Sequence, residues 1–169
     1  HPNNDILPFY PTYKLPEDKS ITLKAKPFDL DQVQLLDGPF KEAMERDIQW
    51  LLNIEPDRLL HHFRINAGLL SSSQPYGGWE STGHILRGSF IGHYMTACSL
   101  MSSSTGDKRF KDRLDCMVAE LARCQRALGD SGYLSAFPEQ YFDEIEAGEL
   151  GRVGISRVSW YVVHKIMAG

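Results

Sequence analysis

Residues 74–97 read QPYGGWESTGHILRGSFIGHYMTA, and the fold of the chain is decided there. The residues leading into it, SSSQPYGG over 71–78, hold too much Ser, Pro and Gly for a helix and form a loop. Trp79 and Glu80 follow, then Ser81 and Thr82, whose hydroxyls suit helix caps. Leu86, Phe90, Tyr94 and Ala97, with Leu100 and Met101 behind, recur at spacings of three and four, which puts one apolar stripe on one helix face. The pattern predicts a loop that delivers Trp79 and Glu80 to the start of a buried helix over about 83–103, with Arg87 and His93 further along it. A flat aromatic, a carboxylate, a guanidinium and an imidazole at one helix end make a floor for a polar ligand. The aromatic face covers the C–H side of a sugar ring, and the charged groups hold its hydroxyls.

Working outward, the same 3.6-residue period recurs on both sides. Asp37-Gly38-Pro39 is a turn with Pro at a first helical position, and Phe40, Met44, Ile48, Leu51 and Leu52 line one face of a helix over about 39–53. Pro56 opens a shorter helix to about 67, with Leu59, Leu60, Phe63 and Ile65 facing inward. His61 and His62 lie on it about 100° apart, so they lack the i, i+4 spacing of a metal pair and are read as surface or hydrogen-bonded groups. Downstream, Gly106 ends the buried helix, and Phe110, Leu114, Met117, Val118, Leu121 and Cys124 mark another over about 108–128, closed by Gly129. The aromatic loop 130–138 and the acidic stretch 141–150, a solvated loop or short helix, lead to a last helix from about Ser156. That helix carries Trp160, Tyr161, Val163, His164 and Met167, and the chain stops at Gly169.

The 169 residues suit about one domain, and 42% apolar with 24% charged residues describes a globular chain. A net charge of −4 argues against a nucleic-acid surface, and no apolar run is long enough to cross a bilayer. Three Cys, at 98, 116 and 124, make no even disulfide set and no metal spacing, and are read as buried thiols on helices. No metal site is assigned within the chain. Residues 1–30 hold five Pro and little periodicity, so they are expected to form an extended arm with a short strand near 21–23, and 28–33 a further extended piece. The remainder, 31–169, reads as one helical domain. Its last helix carries an aromatic face with no later element to cover it, which points to the N-terminal part of a longer all-α domain, cut at its C-terminal end. Helices that alternate between two sides suit an array of hairpins closing into an α/α toroid, with a plain bundle as the alternative.

The blocks YGGWE, LRGSFIGHYMTACSLMSSSTGD, QRALGDSGYLSAFP and SWYVVHKIMAG resemble, in order and spacing, the start of the β-L-arabinofuranosidase domain of glycoside hydrolase family 127 and its relative family 146, and PFDLDQVQLLDGPF is similar to the segment that leads into it. The resemblance covers about 27–169. One departure is Ser159, where the family pattern has Pro before the aromatic pair. The resemblance implies an all-α (α/α)6 barrel that releases non-reducing-end β-L-arabinofuranose from plant polysaccharide or glycan side chains with retention. It also implies a zinc-bound Cys thiolate as nucleophile, a Glu as acid/base, and a periplasmic or extracellular setting. Zinc would keep such a thiol deprotonated. The resemblance puts the nucleophile, the metal ligands and the acid/base beyond Gly169. None of these roles passes to Cys98, Cys116 or Cys124, and the 169 residues alone are expected to be inactive.

Five residues are candidates for substrate binding: Trp79, Glu80, His93, Tyr161 and His164. Each has a plainer reading. Trp79 could plug the helix end, Glu80 could cap the helix or pair with Arg87, and His93 could be a satisfied core histidine. Tyr161 and His164, with Trp160, share spacings of three and four on one helix face. Two other classes stay open: another sugar enzyme on a helical toroid, such as a lyase using Tyr161, His164 and Arg87 or an epimerase, and a non-catalytic helical binding module.

Overall fold

The computed structural model describes residues 25–148 and 153–169, the latter without the side chains of 153–157. The expected N-terminal arm and its strand near 21–23 lie mostly outside the described residues. Six α-helices carry the described fold: α1 (Pro39–Asn53), α2 (Pro56–Asn66), α3 (Phe90–Thr105), α4 (Lys108–Leu128), α5 (Gln140–Glu146) and α6 (Val153–Ala168). Short 3-10 turns lie at Leu30–Gln32 and Gly78–Glu80, and no strand occurs among the described residues.

Local chemistry sets the boundaries. Pro39 and Pro56 sit at the first positions of α1 and α2, where their missing N–H costs nothing. Gly106 ends α3 in the left-handed region at φ +69°, and the Asp107 carboxylate accepts from the Arg109 N–H to start α4. With only Gly106 and Asp107 between them, α3 and α4 form an antiparallel hairpin. Contacts between α3 and α6 advance together, from His93–Tyr161 to Thr96–Ala168, so these two helices run parallel. From Ile54, just ahead of α2, to Arg64 within it, the partners on α4 advance from Arg113 to Glu120, so that pair is parallel too. Two parallel pairs, antiparallel to one another and packed in two layers, are the unit from which an α/α toroid is built.

The core between the layers is formed by Leu59, Leu60 and Phe63 of α2, Ile91, Tyr94, Met95 and Cys98 of α3, Phe110, Met117, Leu121 and Cys124 of α4, and Val162 of α6, with Ala136 and Phe137 from the loop. Arg113 holds the end of α1 by donating to the carbonyls of Leu52 and Ile54 and to the Tyr94 hydroxyl, which itself donates to Leu51 O. These bonds satisfy carbonyls that a helix end leaves open.

The structure differs from expectation in several places. The helix expected from about 83 begins at Phe90, because Gly88 sits at φ +83° and breaks the ladder; residues 81–89 are turns. Leu86 therefore leaves the stripe, and Ile91, Met95 and Cys98 carry the buried face with Tyr94, while Leu100 is exposed. Phe40, Ile65 and Val118 are also exposed. Residues 30–32 wind into a 3-10 turn instead of an extended piece, held by a reciprocal pair of bonds between Asp29 and Gln32. Cys116 is exposed, whereas Cys98 and Cys124 are buried and burial pushes both thiols up. Ser159 lies buried inside α6, where a proline would remove a backbone donor, and the helix extends upstream of it to Val153.

Candidate functional site

Glu80 is the hinge pin of the site. Its side chain is 4% exposed, and its two carboxylate oxygens accept from the backbone N–H groups of Gly88 at 2.7 Å and Phe90 at 2.9 Å. Those are donors at the N-terminus of α3, which no residue next to the helix caps. Negative charge there also meets the positive end of the helix dipole. Burial pushes the Glu80 carboxyl up, while the two N–H bonds pull it down. Glu80 thus caps α3 from ten residues upstream and makes no ion pair with Arg87. The Arg87 guanidinium instead lies 4.1 Å above the Phe137 ring and donates to Thr82 O.

A residue not expected at the site completes this clamp. His62 of α2 lies 2.8 Å from the Glu80 carbonyl through Nε2. A carbonyl oxygen only accepts, so Nε2 carries the proton. Burial lowers the His62 pKa, which keeps the ring neutral. Its neighbour His61 faces Ser71 Oγ and Ser73 O at the start of the same loop. The adjacent histidines therefore hold two points of one loop, in keeping with the hydrogen-bonded reading of the pair. Their one sequence signal is a place on a helix otherwise rich in apolar residues.

Held in this way, the loop turns Trp79 outward. Its indole is 67% exposed and plugs nothing. It lines a cavity of about 400 Å³ with Trp50, Asn53 and Ile54 from the end of α1, Tyr76, Gly77 and Glu80 from the loop, and Phe90 from α3. The Tyr76 hydroxyl accepts from the Glu55 N–H, and the Arg58 guanidinium stacks on the Tyr76 ring at 3.9 Å.

The other three candidates lie on the α3–α6 pair. Gly92 makes this pair close: a Cβ there would fall 1.9 Å from Lys165 O, so only glycine permits the approach. One residue on, exposed His93 meets the Tyr161 hydroxyl at 3.4 Å, and Lys165 Nζ lies 4.9 Å from the Tyr161 ring centre. His93 is no core histidine. His164 is exposed as well and lines a separate depression of about 360 Å³ with Trp160, Val163, Met167 and Ala168. Trp160 and His164 share that face as their spacing implies, while Tyr161 turns to His93. Among the described residues, then, Trp79 and Glu80 share one cavity, His93 and Tyr161 share one contact, and His164 stands apart from both.

Gly169 has a packing role and lines neither cavity. Its N–H donates to Lys165 O at 3.2 Å. A Cβ on Gly169 would fall 2.6 Å from Gly92 O and 3.0 Å from Met95 Cβ, so this end of α6 is seated directly on α3. Gly92 and Gly169 thus bring the two helices together from both sides.

Zinc does not fit these residues. Among the described residues no group of three or more His, Cys, Asp and Glu stands close enough to hold an ion. Cys98 and Cys124 face the core on two different helices, and Cys116 faces outward.

With this geometry in hand, comparison with known proteins adds one finding. The family model of the β-L-arabinofuranosidase GH127 catalytic domain matches residues 32–169, a span that contains the whole site. No curated protein matches the chain.

Proposed function

The chain belongs to the β-L-arabinofuranosidase GH127 catalytic-domain family, a family of glycoside hydrolases, and from that premise we propose that it serves an exo-acting enzyme that releases terminal β-L-arabinofuranose from arabinose-containing polysaccharide or glycan side chains. The observation that carries the reading is the family match over 32–169, supported by the exposed aromatic and imidazole groups along one run of elements. In this reading the Trp79 indole covers the C–H face of a sugar, and the side chains of His93, Tyr161 and His164 take hydroxyls. Glu80 acts one step back, by fixing the loop that presents Trp79.

The chain supplies binding rather than bond cleavage. A glycosidase of the common kind needs two carboxyl groups roughly 5–10 Å apart. Among the described residues Glu80 is the one carboxylate on the Trp79 cavity, and both its oxygens are held by backbone N–H groups. We therefore place the nucleophile, the acid/base and any zinc ligands outside these 169 residues, beyond Gly169. A polysaccharide substrate favours a periplasmic or extracellular setting. The polysaccharide lyase, epimerase and binding-module readings gain no separate observation.

The test is hydrolysis of an aryl β-L-arabinofuranoside by the enzyme containing this domain, compared with its His164→Ala variant. His164 is exposed, so its loss should leave the melting temperature nearly unchanged. Loss of a neutral hydrogen bond of ~0.5–1.5 kcal/mol should lower kcat/KM several-fold. A sharp drop in melting temperature with normal kinetics would make His164 a packing residue. The 169-residue chain alone should show only background turnover; robust turnover that a substitution within it abolishes would refute the placement of the reacting groups.

A further inference from the structure

We propose that the cavity walled by Trp50, Tyr76, Trp79 and Phe90 is a stacking subsite for an uncharged sugar ring, completed by Asn53. The proposal rests on the hydrolase reading for its choice of a sugar as occupant; the rest comes from the cavity itself.

Three elements converge there. Trp50, Asn53 and Ile54 end α1, Tyr76 and Trp79 come from the loop, and Phe90 starts α3. About 400 Å³ falls within the range of roughly 300–1,000 Å³ of small-molecule sites. Two indoles on neighbouring walls stay in water, Trp50 at 58% and Trp79 at 67% exposure. Side-by-side exposed aromatics in a concave wall mark a ligand site rather than stray surface residues.

Both indoles stand on fixed backbone. Trp79 is next to Glu80, which is tied at its carboxylate to Gly88 and Phe90 and at its carbonyl to His62. Trp50 precedes Leu51, whose carbonyl takes the Tyr94 hydroxyl, and Arg113 holds the next turn. A platform built in advance spares a ligand the entropy of ordering it.

The polar inventory narrows the occupant. Among the described residues the Asn53 amide and the indole N–H groups of Trp50 and Trp79 have no hydrogen-bond partner. The Tyr76 hydroxyl accepts from Glu55 N and still has a proton to give. Apolar walls with neutral donors at the rim suit a sugar ring, whose C–H face is apolar and whose edge carries hydroxyls. Among the described residues no cation lines the cavity, and Glu80, the one carboxylate there, is turned to backbone N–H groups. A uronate or a phosphate has nothing to pair with here. Arg58 lies against the Tyr76 ring and is occupied by the carbonyls of Gln74 and Pro75.

The experiment is a tryptophan-fluorescence titration. The chain has three Trp, so a Trp160→Phe background leaves Trp50 and Trp79 as reporters. The probes are arabinobiose, sorbitol as a polyol without a ring, and galacturonate as a charged ring. Arabinobiose should give a saturable change that sorbitol and galacturonate do not. By calorimetry in the native-Trp160 chain, Trp50→Ala and Trp79→Ala should each weaken arabinobiose binding about tenfold, equivalent to ~1.4 kcal/mol. Asn53→Ala should weaken it several-fold, and Trp50→Phe should restore most of the affinity that Trp50→Leu loses. That last comparison decides the matter if Trp50→Ala does not fold. Equal binding by Trp50→Leu and Trp50→Phe, equal affinity for sorbitol or galacturonate, or no arabinobiose binding overturns the subsite. Hydrolysis of an arabinofuranoside by the whole enzyme with no ring bound in the cavity would defeat this proposal alone. Ring binding with no hydrolysis would defeat the hydrolase reading alone.

Discussion

The α2–α4 layer and the α3–α6 layer solve the same packing problem by opposite means. In the first, long side chains reach across. Arg64 of α2 bridges Asp57 and Glu120 at 2.7 Å each, Glu120 also takes Arg123, and the arginines hold the Glu120 carboxyl down to about 2. In the second, a side chain is removed. Gly92 lets the backbones of α3 and α6 touch, Gly169 seats the end of α6 on the same spot, and Glu80 caps α3 from a distant loop. The first layer leaves few large apolar groups in water at its junction. The second leaves Trp160 and Tyr161 of α6 exposed. One layer is joined by charged side chains and the other by close backbone approach, with aromatic surface left in water beside the second.

If the α3–α6 layer depends on close backbone approach, Gly92→Ala should produce the largest effect on stability. Its Cβ would meet Lys165 O at 1.9 Å and the Lys165 carbonyl carbon at 2.3 Å, and neither is the end of a flexible side chain. Helix propensity favours alanine, so any loss comes from overpacking. A cost of about 3 kcal/mol is expected, at the upper end of such substitutions. Urea denaturation should show it, together with dye binding as Val162 loses its cover. An unchanged midpoint would mean that α6 does not rest on α3.

Arg64→Met probes the other layer and should cost about 2 kcal/mol, since it leaves Glu120, whose side chain is 18% exposed, short of one charged partner. Glu120 gives the pH sign. Its folded pKa lies below its unfolded value of 4.5, so its contribution is present above pH 4.5 and is lost as pH falls towards about 2. The variant should therefore lose part of the acid sensitivity of the parent. If thermal melts of the two run parallel between pH 5 and 3, the bridge contributes nothing.

These two layers are unequally legible in the sequence. The bounds of α1 and α4 can be read from Pro39, Gly106 and Gly129, because those residues act through their own backbone. Apolar periodicity likewise marks the core faces of α2 and α4, apart from Ile65 and Val118. The start of α3 cannot be read. The apolar spacing through Leu86 continues the pattern smoothly, and the break lies in the positive φ of Gly88, where a Cβ would also come 2.4 Å from Ala136 Cβ. Nothing local reports a neighbour 48 positions away. The site divides in the same manner. Trp79 and Glu80 stand out by residue type, and a capping role for Glu80 follows from its place ahead of a helix. His62, Trp50 and Asn53 join them only through tertiary contact.

Glu80→Gln tests the clamp with a smaller change. A glutamine keeps one acceptor oxygen but turns an N–H donor towards the second backbone N–H. One buried donor at Gly88 or Phe90 is left unmet, at a cost of about 1–2 kcal/mol. Trp79 should then gain mobility, read as lower fluorescence anisotropy in a chain whose other tryptophans are phenylalanine. A variant as stable as the parent, with Trp79 equally ordered, would remove Glu80 from the account of the site.

The smallest effect belongs to His62, and it separates the clamp from the rest of the fold by pH alone. Burial lowers its pKa from 6.5, with the charges of His61 and Arg87 adding to the effect and the bond to Glu80 opposing it. Below pH 6.5 the unfolded chain binds a proton at this position more readily than the folded one. Stability from neutral His62 is therefore complete above pH 6.5 and declines as pH falls from there to the depressed folded value. Glu80 acts with the opposite sign, because burial raises its pKa from 4.5: the folded form holds its proton more tightly, and stability rises as pH falls through that window. The two are separated with His62→Gln, whose side-chain amide can still donate to the Glu80 carbonyl but does not titrate. Between pH 7.5 and 5.5 the melting temperature of the parent should fall more steeply than that of the variant. Equal slopes would mean that His62 is no more buried to protons than a surface histidine, and the loop carrying Trp79 would have lost its anchor on α2.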